Sequence, residues 1–573
     1  MDLNPSSSSS YGYDPASVAG KAPPVDAQTD VLIVGAGPAG VACALAIATS
    51  GQDVSVTLVD ENPVPLDTMG EDVPLHFGNR MGAAVANGNA MLEAMLEANP
   101  LLVDALEAGV DVRLGTAVWG LFPQRATTAW MDAHVAGLAD RERVSLMRFR
   151  QVVVAAGRRD MGLAFDGWQL PGVMGVGAAW RLAVMYGALD AARAVLVGSD
   201  TEALQAALEL SARGVRIVAV IERRDTVTGD AALLAQLVQQ GAQVMTGQVV
   251  RHAHGDLHGV KSVTLAPASA AESAEPVATF DCDTVLLGIA ALPAIELLEA
   301  AGCTTAFVES RGGHIARVDA AQRTSLPFML AVGDCAGVWS AKSLDADIAR
   351  REAGIAAATV LAALNDGAST DAAGQHRLAS KRDFEPSSAA ECGSGSGSTP
   401  AAACQLAHDR VEWVRASVLH ASGEPFVCQC EEVTAAEILG VRPPRYLGWT
   451  PQPPRHTRDV AALVADGAPN PDTIKRLTRA CMGPCQGRRC REQVAALLSI
   501  GAALPLAAIP LATFRTPVRP LALNRLAQTG ESAALAEHWD SWFGMASQWV
   551  PFWRAQPVYT AASRETGVPV ASE

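Results

Sequence analysis

The sequence predicts an α/β protein: two nucleotide-type folds in tandem, one inserted in the other, followed by a small cysteine-bearing domain of α+β or α character. Three observations lead there. From Thr29 onward, apolar strand-like runs alternate with helical stretches, the pattern of a sheet flanked by helices. Two of those runs open strand-glycine-helix units, at Gly35 and again at Gly198. Five of the eleven cysteines crowd between Cys428 and Cys490, and that bunching points to metal rather than a disulfide scaffold.

The chain has 573 residues, so several cores are expected, roughly three to four domains. At 49% hydrophobic and 18% charged residues, wholesale disorder is excluded. A net charge of -16 repels phosphate backbones and anionic lipid, which argues against nucleic-acid or polybasic membrane binding. The opening MDLNPSSSSSYGYDP has no basic segment followed by an apolar run, so no secretory signal is read, and the cytoplasm is the expected compartment, with a peripheral place at a membrane as the other option. Gln493 to Phe514 contains no charged residue, but Pro505 and Pro510 interrupt it; a helix followed by a buried extended segment is expected there rather than a membrane span.

The strand runs are VLIVG (31–35), VSVTLVD (54–60), QVVVAAG (151–157), AVLVG (194–198), RIVAVIE (216–222), DTVLLG (283–288) and FMLAVGD (328–334). They divide the chain into an arm (1–28), a first nucleotide-binding domain (29–185 and 283–365), an inserted second unit (186–282), an Ala-, Ser- and Gly-rich linker (366–425), the cysteine domain (426–500) and a tail (501–573). The tail's Trp539, Trp542, Trp549 and Trp553 are read as packing on the core or on a partner.

In VLIVGAGPAG, Gly35 allows a tight turn, Gly37 lets a pyrophosphate approach the backbone, and Gly40 lets the helix pack on the strand; Pro38 and Ala39 start that helix. The helix amino terminus then offers free N–H groups to the phosphates. Asp60, with Glu61 beside it, ends the next strand where a carboxylate can accept from a ribose diol. The second unit departs from this pattern. Its loop reads Gly198-Ser199-Asp200-Thr201-Glu202-Ala203, and Asp200 stands where the middle glycine is needed, so a retained scaffold without NAD(P)H is expected.

FVCQCEEV supplies Cys428 and Cys430, and RACMGPCQGRRC supplies Cys481, Cys485 and Cys490. Four thiolates can hold a two-iron cluster, two per iron, and Lys475, Arg476, Arg479, Arg488 and Arg489 would offset its charge. A structural zinc site is the alternative use of four thiolates. His252, His254 and His258, with Asp256, have metal-like spacing but are read as solvated hairpin residues, and Lys342 and Arg350 as helix-end charges that can also face a cofactor.

VVVAAG ending at Gly157, and LAVGDCAG with Gly333 and Asp334, resemble the later sequence marks of two-domain FAD enzymes related to glutathione reductase. By that resemblance Asp334 binds the ribityl chain and flavin-side phosphate; Asp also suits a helix N-cap there. The cysteine pattern resembles the [2Fe-2S] domain of bacterioferritin-associated ferredoxin. In its variant with M-G-x-C-Q-G-x-x-C the ligands correspond to Cys428, Cys430, Cys485 and Cys490, leaving Cys481 spare, though spacing tolerates its exchange with Cys485 or Cys490.

Together with TAVWGLFP (116–123), FDGWQLPGVMGVGAAWRL (165–182) and RPLAL (519–523), these motifs resemble the FAD- and cluster-bearing A (alpha) subunits of opine oxidase, hydrogen cyanide synthase and proline or hydroxyproline dehydrogenases, over most of residues 29–525. The resemblance implies FAD, a [2Fe-2S] cluster, and FMN or a second flavin at a subunit interface. It also implies a partner FAD subunit similar to D-amino-acid oxidase that oxidises a C–N bond, and a small ferredoxin-like subunit. With Asp200 in the second nucleotide loop, the expected electron acceptor is a quinone-type or other carrier rather than NAD. One departure is that the Gly-Gly-Gln loop usual after the strand-end acid is replaced by ENPVPLDTMGEDVPLHFGNRM from Glu61. Two other functions compete: a stand-alone NAD(P)H-dependent ferredoxin or disulfide reductase, whose disulfide form lacks any C-x-x-C or C-x4-C in residues 29–365, and an FAD-binding scaffold without turnover.

Overall fold

The computed structural model describes residues 24–63, 87–124, 131, 133–269, 277–367, 406–421, 423–448 and 458–527. The first sheet is built on β1 (Ala27–Val34), β2 (Val56–Val59), β3 (Asp111–Arg113), β4 (Ala117–Phe122), β5 (His134–Ala139) and β6 (Val144–Val154), in the order β3-β2-β1-β6-β5-β4, with Met329–Ala331 added beside β6. β1 pairs in parallel with both β2 and β6. Val31, Leu32 and Ile33 are fully buried, which is why this strand reads as a continuous apolar run rather than an alternation. Helix α1 (Pro38–Ala48) covers one face, its Pro38 at the first position where a missing N–H costs nothing.

The second sheet contains β7 (Val173–Gly175), β8 (Arg193–Val197), β9 (Arg216–Glu222), β10 (Gln243–Thr246) and β11 (Thr284–Leu287), in the order β10-β9-β8-β11-β7. All of its pairings are parallel. Helices α2 (Val176–Val184) and α3 (Thr201–Ser211) pack together on it. β7 and β11 therefore belong to the second sheet, whereas the sequence division at 185/186 and 282/283 places both with the first. Each strand is short, and only its pairing with β8 or β11 assigns it. An antiparallel three-stranded sheet, Gln248–Asp256, Gly259–Pro267 and Ala278–Asp281, is set on this unit. In its first strand the rings of His252 and His254 stack with centroids 4.2 Å apart.

The long helix α4 (Ala346–Gly367) returns to pack on α1. The stretch read as linker ends in structure: α5 (Leu406–Val414) continues into a wider turn over Arg415–Leu419, and Trp413 and Val414 are buried. Beyond it, the cysteine domain centres on α6 (Arg491–Ala502), whose Val494, Ala495, Ala496, Leu497 and Leu498 are buried. The chain then makes one tight turn at Leu506–Ala508 and runs on with Leu506, Ile509, Ala512 and Phe514 buried and the residues between them mostly exposed, so the charge-free stretch is a helix followed by a half-buried strap rather than a fully buried extended segment. Among the described residues, no helix is long and apolar enough to cross a membrane. Val518 N–H bonds Trp119 O at 2.8 Å and Arg525 bonds Asp140 O at 2.8 Å, so the first part of the tail lies on the first sheet. The four tail tryptophans and the segment replacing the Gly-Gly-Gln loop, beyond Pro63, lie outside the described residues.

Candidate functional site: a dinucleotide cavity walled by a cysteine loop

A cavity of about 1020 Å³ opens at the carboxyl ends of β1, β2 and β6, where ligands of such sheets bind. Gly35, Gly37, Pro38, Ala39, Asp60, Glu61, Gly157, Gly333 and Asp334 all line it. Gly40 is the exception, because it faces the strand instead. A Cβ there would fall 1.8 Å from Gly35 O, and one on Gly35 would fall 2.2 Å from Ala155 O. A Cβ on Gly37 meets nothing within 4 Å. The three glycines thus divide as their spacing predicts: two for packing of strand, turn and helix, and one for open space in front of the helix amino terminus.

Asp60 accepts from Ala36 N–H at 2.6 Å and, with its other oxygen, from Asn62 N–H at 2.7 Å and Asn62 Nδ2 at 2.9 Å. These bonds fix the carboxylate at the edge of the glycine turn and leave it acceptor capacity. Arg519, from the tail, pairs with the neighbouring Glu61; burial pulls its pKa down to about 10 against the opposing pull of Asp60.

On the other side, the Gly333-Asp334 turn is clamped from beneath. Lys342, with no exposed side-chain surface, donates to Gly333 O at 2.7 Å, Gly337 O at 3.1 Å and Glu352, while Glu352 accepts from Gly333 N–H at 2.8 Å. Trp339 lies 4.5 Å from the ammonium. Lys342 is therefore not a surface charge, and Arg350, which pairs with Asp347, lines the cavity as well. Asp334 does not cap a helix with its side chain; it faces Arg158 Nε at 3.4 Å. Arg158 also donates to Ser343 Oγ at 2.7 Å and pairs with Glu202 of α3, tying the two nucleotide units together.

In the second unit the corresponding crevice is filled by the chain itself. Asp200 caps α3 by accepting from Ala203 N–H at 2.7 Å, and burial pushes its pKa up to about 6. Glu222, fully buried at the end of β9, accepts from Ser199 Oγ at 2.6 Å. The 225–230 loop presses on the glycine turn so closely that a Cβ on Gly229 would fall 2.4 Å from Ser199 O. Arg223 and Arg224, at the strand end, both pair with Asp409 of α5.

Four of the five clustered cysteines are buried, and Cys430 is partly exposed. Their sulfurs fall into pairs. Cys430 donates to Cys485, an interaction that holds Cys485 down to about 5. Cys490 bonds both Cys428 and Cys481, the last at 3.6 Å. Among the described residues, no group of three or more His, Cys, Asp or Glu side chains is arranged around a single ion. Cys481 and Gln486 hold left-handed backbones at φ 69° and 53°, beside Gly487 at 75°. A Cβ on Gly483 would fall 2.2 Å from Cys430 Cβ, so only glycine lets the two cysteine segments close on each other.

This loop forms part of the cavity wall. Arg488, between Cys485 and Cys490, lines the cavity together with Arg159 and Glu296, which form an ion pair. Burial lowers the pKa of Arg159 to about 9, reinforced by Arg488 and Arg491 and opposed by Cys485. Arg489 stacks on Trp168 at 4.9 Å, and Gln493 accepts from Ala164 N–H at 2.8 Å. Arg158 and Arg159 could have been found in the sequence, since they follow the Gly157 turn directly. Nothing local marks Arg488 or Arg519 as cavity residues, or Glu352 as part of the clamp beneath the Gly333 turn.

The pyridine nucleotide-disulphide oxidoreductase family model matches residues 29–364, more than half of the chain. The chain belongs to that family. A second model, the sarcosine oxidase A3 domain, matches residues 455–529, which include Cys481, Cys485 and Cys490. The A chain of opine oxidase from Agrobacterium tumefaciens is 27% identical over 88% of this chain and 92% of its own length. The HcnB component of hydrogen cyanide synthase from Pseudomonas aeruginosa is 25% identical over 80% of this chain and 90% of its own. The alpha chain of sarcosine oxidase from Corynebacterium sp. is 33% identical over 39% of this chain and 22% of that longer one. The L-proline dehydrogenase of P. horikoshii superposes with a TM-score of 0.52 at 18% identity, over 87% of this chain and 80% of that one, a likeness of fold. Within the oxidoreductase family, then, the chain groups with the opine oxidase and hydrogen cyanide synthase type subunits its motifs resemble. It is a flavin oxidoreductase, and FAD is the cofactor that suits its cavity.

Proposed function

We propose that the chain is the FAD- and [2Fe-2S]-dependent electron-transfer subunit of a hetero-oligomeric amine or amino-acid dehydrogenase or oxidase. It takes electrons from a partner FAD subunit similar to D-amino-acid oxidase and passes them to a quinone-type or other acceptor. The observation that carries this reading is that one loop serves both sites: Arg488 lines the dinucleotide cavity while Cys485 and Cys490 on either side turn into the sulfur cluster.

When bound, FAD supplies two-electron chemistry and a two-iron cluster supplies one-electron transfer. Gly35, Gly37, Pro38 and Ala39 would seat the pyrophosphate and Asp60, with Glu61, the ribose. Asp334, on the turn held by Lys342 and Glu352, and Gly157 and Gly333 would take the flavin half. The donor set fits a cluster in which each iron takes two thiolates, because the sulfurs already stand as Cys430 with Cys485 and Cys428 with Cys490. Cys481, also touching Cys490, is the alternative ligand. Arg159, Arg488 and Arg491 would offset the cluster's negative charge. The NAD(P)H-reductase reading loses support from the filled second crevice.

The test is to purify the chain with and without its co-expressed partner, assay flavin, iron and acid-labile sulfide, and add opines, proline and glycine anaerobically. Flavin bleaching and cluster reduction that require the partner are expected. Flavin reduced rapidly by NADH alone, or a chain free of iron and sulfide, would overturn the proposal.

A further inference from the structure

The sharing of the loop has a consequence for cofactor loading. Between Cys481 and Cys490 the backbone twice enters the left-handed region at non-glycine residues, Cys481 and Gln486, a conformation that costs energy unless something holds it. That same backbone brings Cys485 and Cys490 to the other sulfurs and places Arg488, between them, in the cavity wall. The Arg488 guanidinium is positioned by a 2.8 Å bond to Val518 O, and Val518 in turn bonds Trp119 on the first sheet. Arg519, next along, reaches Glu61 on the opposite side of the cavity. The cavity is therefore completed by the cysteine domain and its strap, not by the first nucleotide unit alone.

We infer that Arg488 is a cofactor-binding residue of the FAD cavity and that it couples the two sites: sulfur ligation of iron fixes the loop, and the fixed loop presents Arg488 to the anionic dinucleotide. This rests on the cluster reading above. Linkage requires the effect to be reciprocal, so FAD also tightens retention of the cluster.

The experiment uses the full chain and measures FAD dissociation by flavin fluorescence. It compares the protein as isolated, the protein after anaerobic iron removal by chelation, and the Arg488→Gln and Arg488→Lys variants under both conditions. Iron removal is expected to weaken FAD binding about 10- to 100-fold, the range of one charge-assisted hydrogen bond. Arg488→Gln should weaken it equally in the iron-loaded protein, and iron removal should then add nothing, the non-additivity of groups acting as one. Arg488→Lys should recover part of the affinity, and Arg442→Gln, at an exposed cation of the same domain, should change neither iron content nor affinity. Iron present with an FAD affinity indifferent to its removal, or additive effects of removal and substitution, overturns the coupling alone. Absence of iron in the parent protein overturns the cluster reading and the coupling with it.

Discussion

Replacing Lys342 by Met tests whether the Gly333-Asp334 turn is held by a buried ion pair. The side chain of Lys342 is fully buried and that of Glu352 is 12% exposed, so removing the ammonium strands a carboxylate that still accepts from Gly333 N–H. Breaking one partner of such a pair costs about 3–5 kcal/mol, more than the thioether's packing can return. Burial already holds the Glu352 pKa above the ordinary carboxylate range, with Lys342 pulling it down, so the substitution moves it further up. A carboxyl group raised in the folded state favours folding while it is protonated and loses that contribution as pH rises through its folded pKa. Urea titrations of the parent and Lys342→Met should therefore show a larger gap at about pH 8 than at about pH 5. FAD affinity should fall in parallel, since Asp334 sits on the released turn. The double variant Lys342→Met/Glu352→Gln should regain most of the stability, because an amide oxygen can still accept from Gly333. A loss below about 1 kcal/mol, the size of an exposed pair, or one that does not vary with pH, would refute the reasoning.

Further outcomes follow from the same geometry. Gly37→Ala should leave thermal stability unchanged and weaken FAD binding, because its Cβ enters open cavity, whereas Gly40→Ala should destabilise the chain because its Cβ meets Gly35 O; calorimetry and flavin fluorescence separate the two. Asp200→Gly should confer no NADH binding in calorimetric titration, since Glu222, Ser199 and the Gly229 loop still fill the crevice, and should cost only a few tenths of a kcal/mol, because glycine is itself tolerated at a helix cap. Cys481→Gly should retain the iron and relieve roughly 1–2 kcal/mol of left-handed strain, whereas Cys485→Ala should lose the iron; metal analysis with denaturation decides.

The parts legible in sequence are those whose physics is local. All seven apolar runs read as strands lie in the two large sheets, because a strand buried on both faces must be apolar throughout. The glycine turn is readable for the same kind of reason, each glycine answering to its own short stretch of strand, turn and helix. What escapes depends on distant pairing. β7 and β11 are too short to declare their sheet. Helix α5 is diluted by the Ala-, Ser- and Gly-rich stretch before it, although Trp413 is buried and Asp409 finds a cationic partner. Arg488 can be read as a counter-charge to sulfur, but that it also faces the dinucleotide cavity is decided by the Val518 strap folding back on the first sheet.

Asp409 carries a last implication. Its carboxylate engages Arg223 and Arg224, the cations best placed at that strand end to greet an incoming phosphate. A chain that brings its own anion to this spot would be deaf to the cell's supply of reduced nicotinamide. On the proposed function, its oxidation state would then be set by its electron donor and acceptor rather than by the nicotinamide pool.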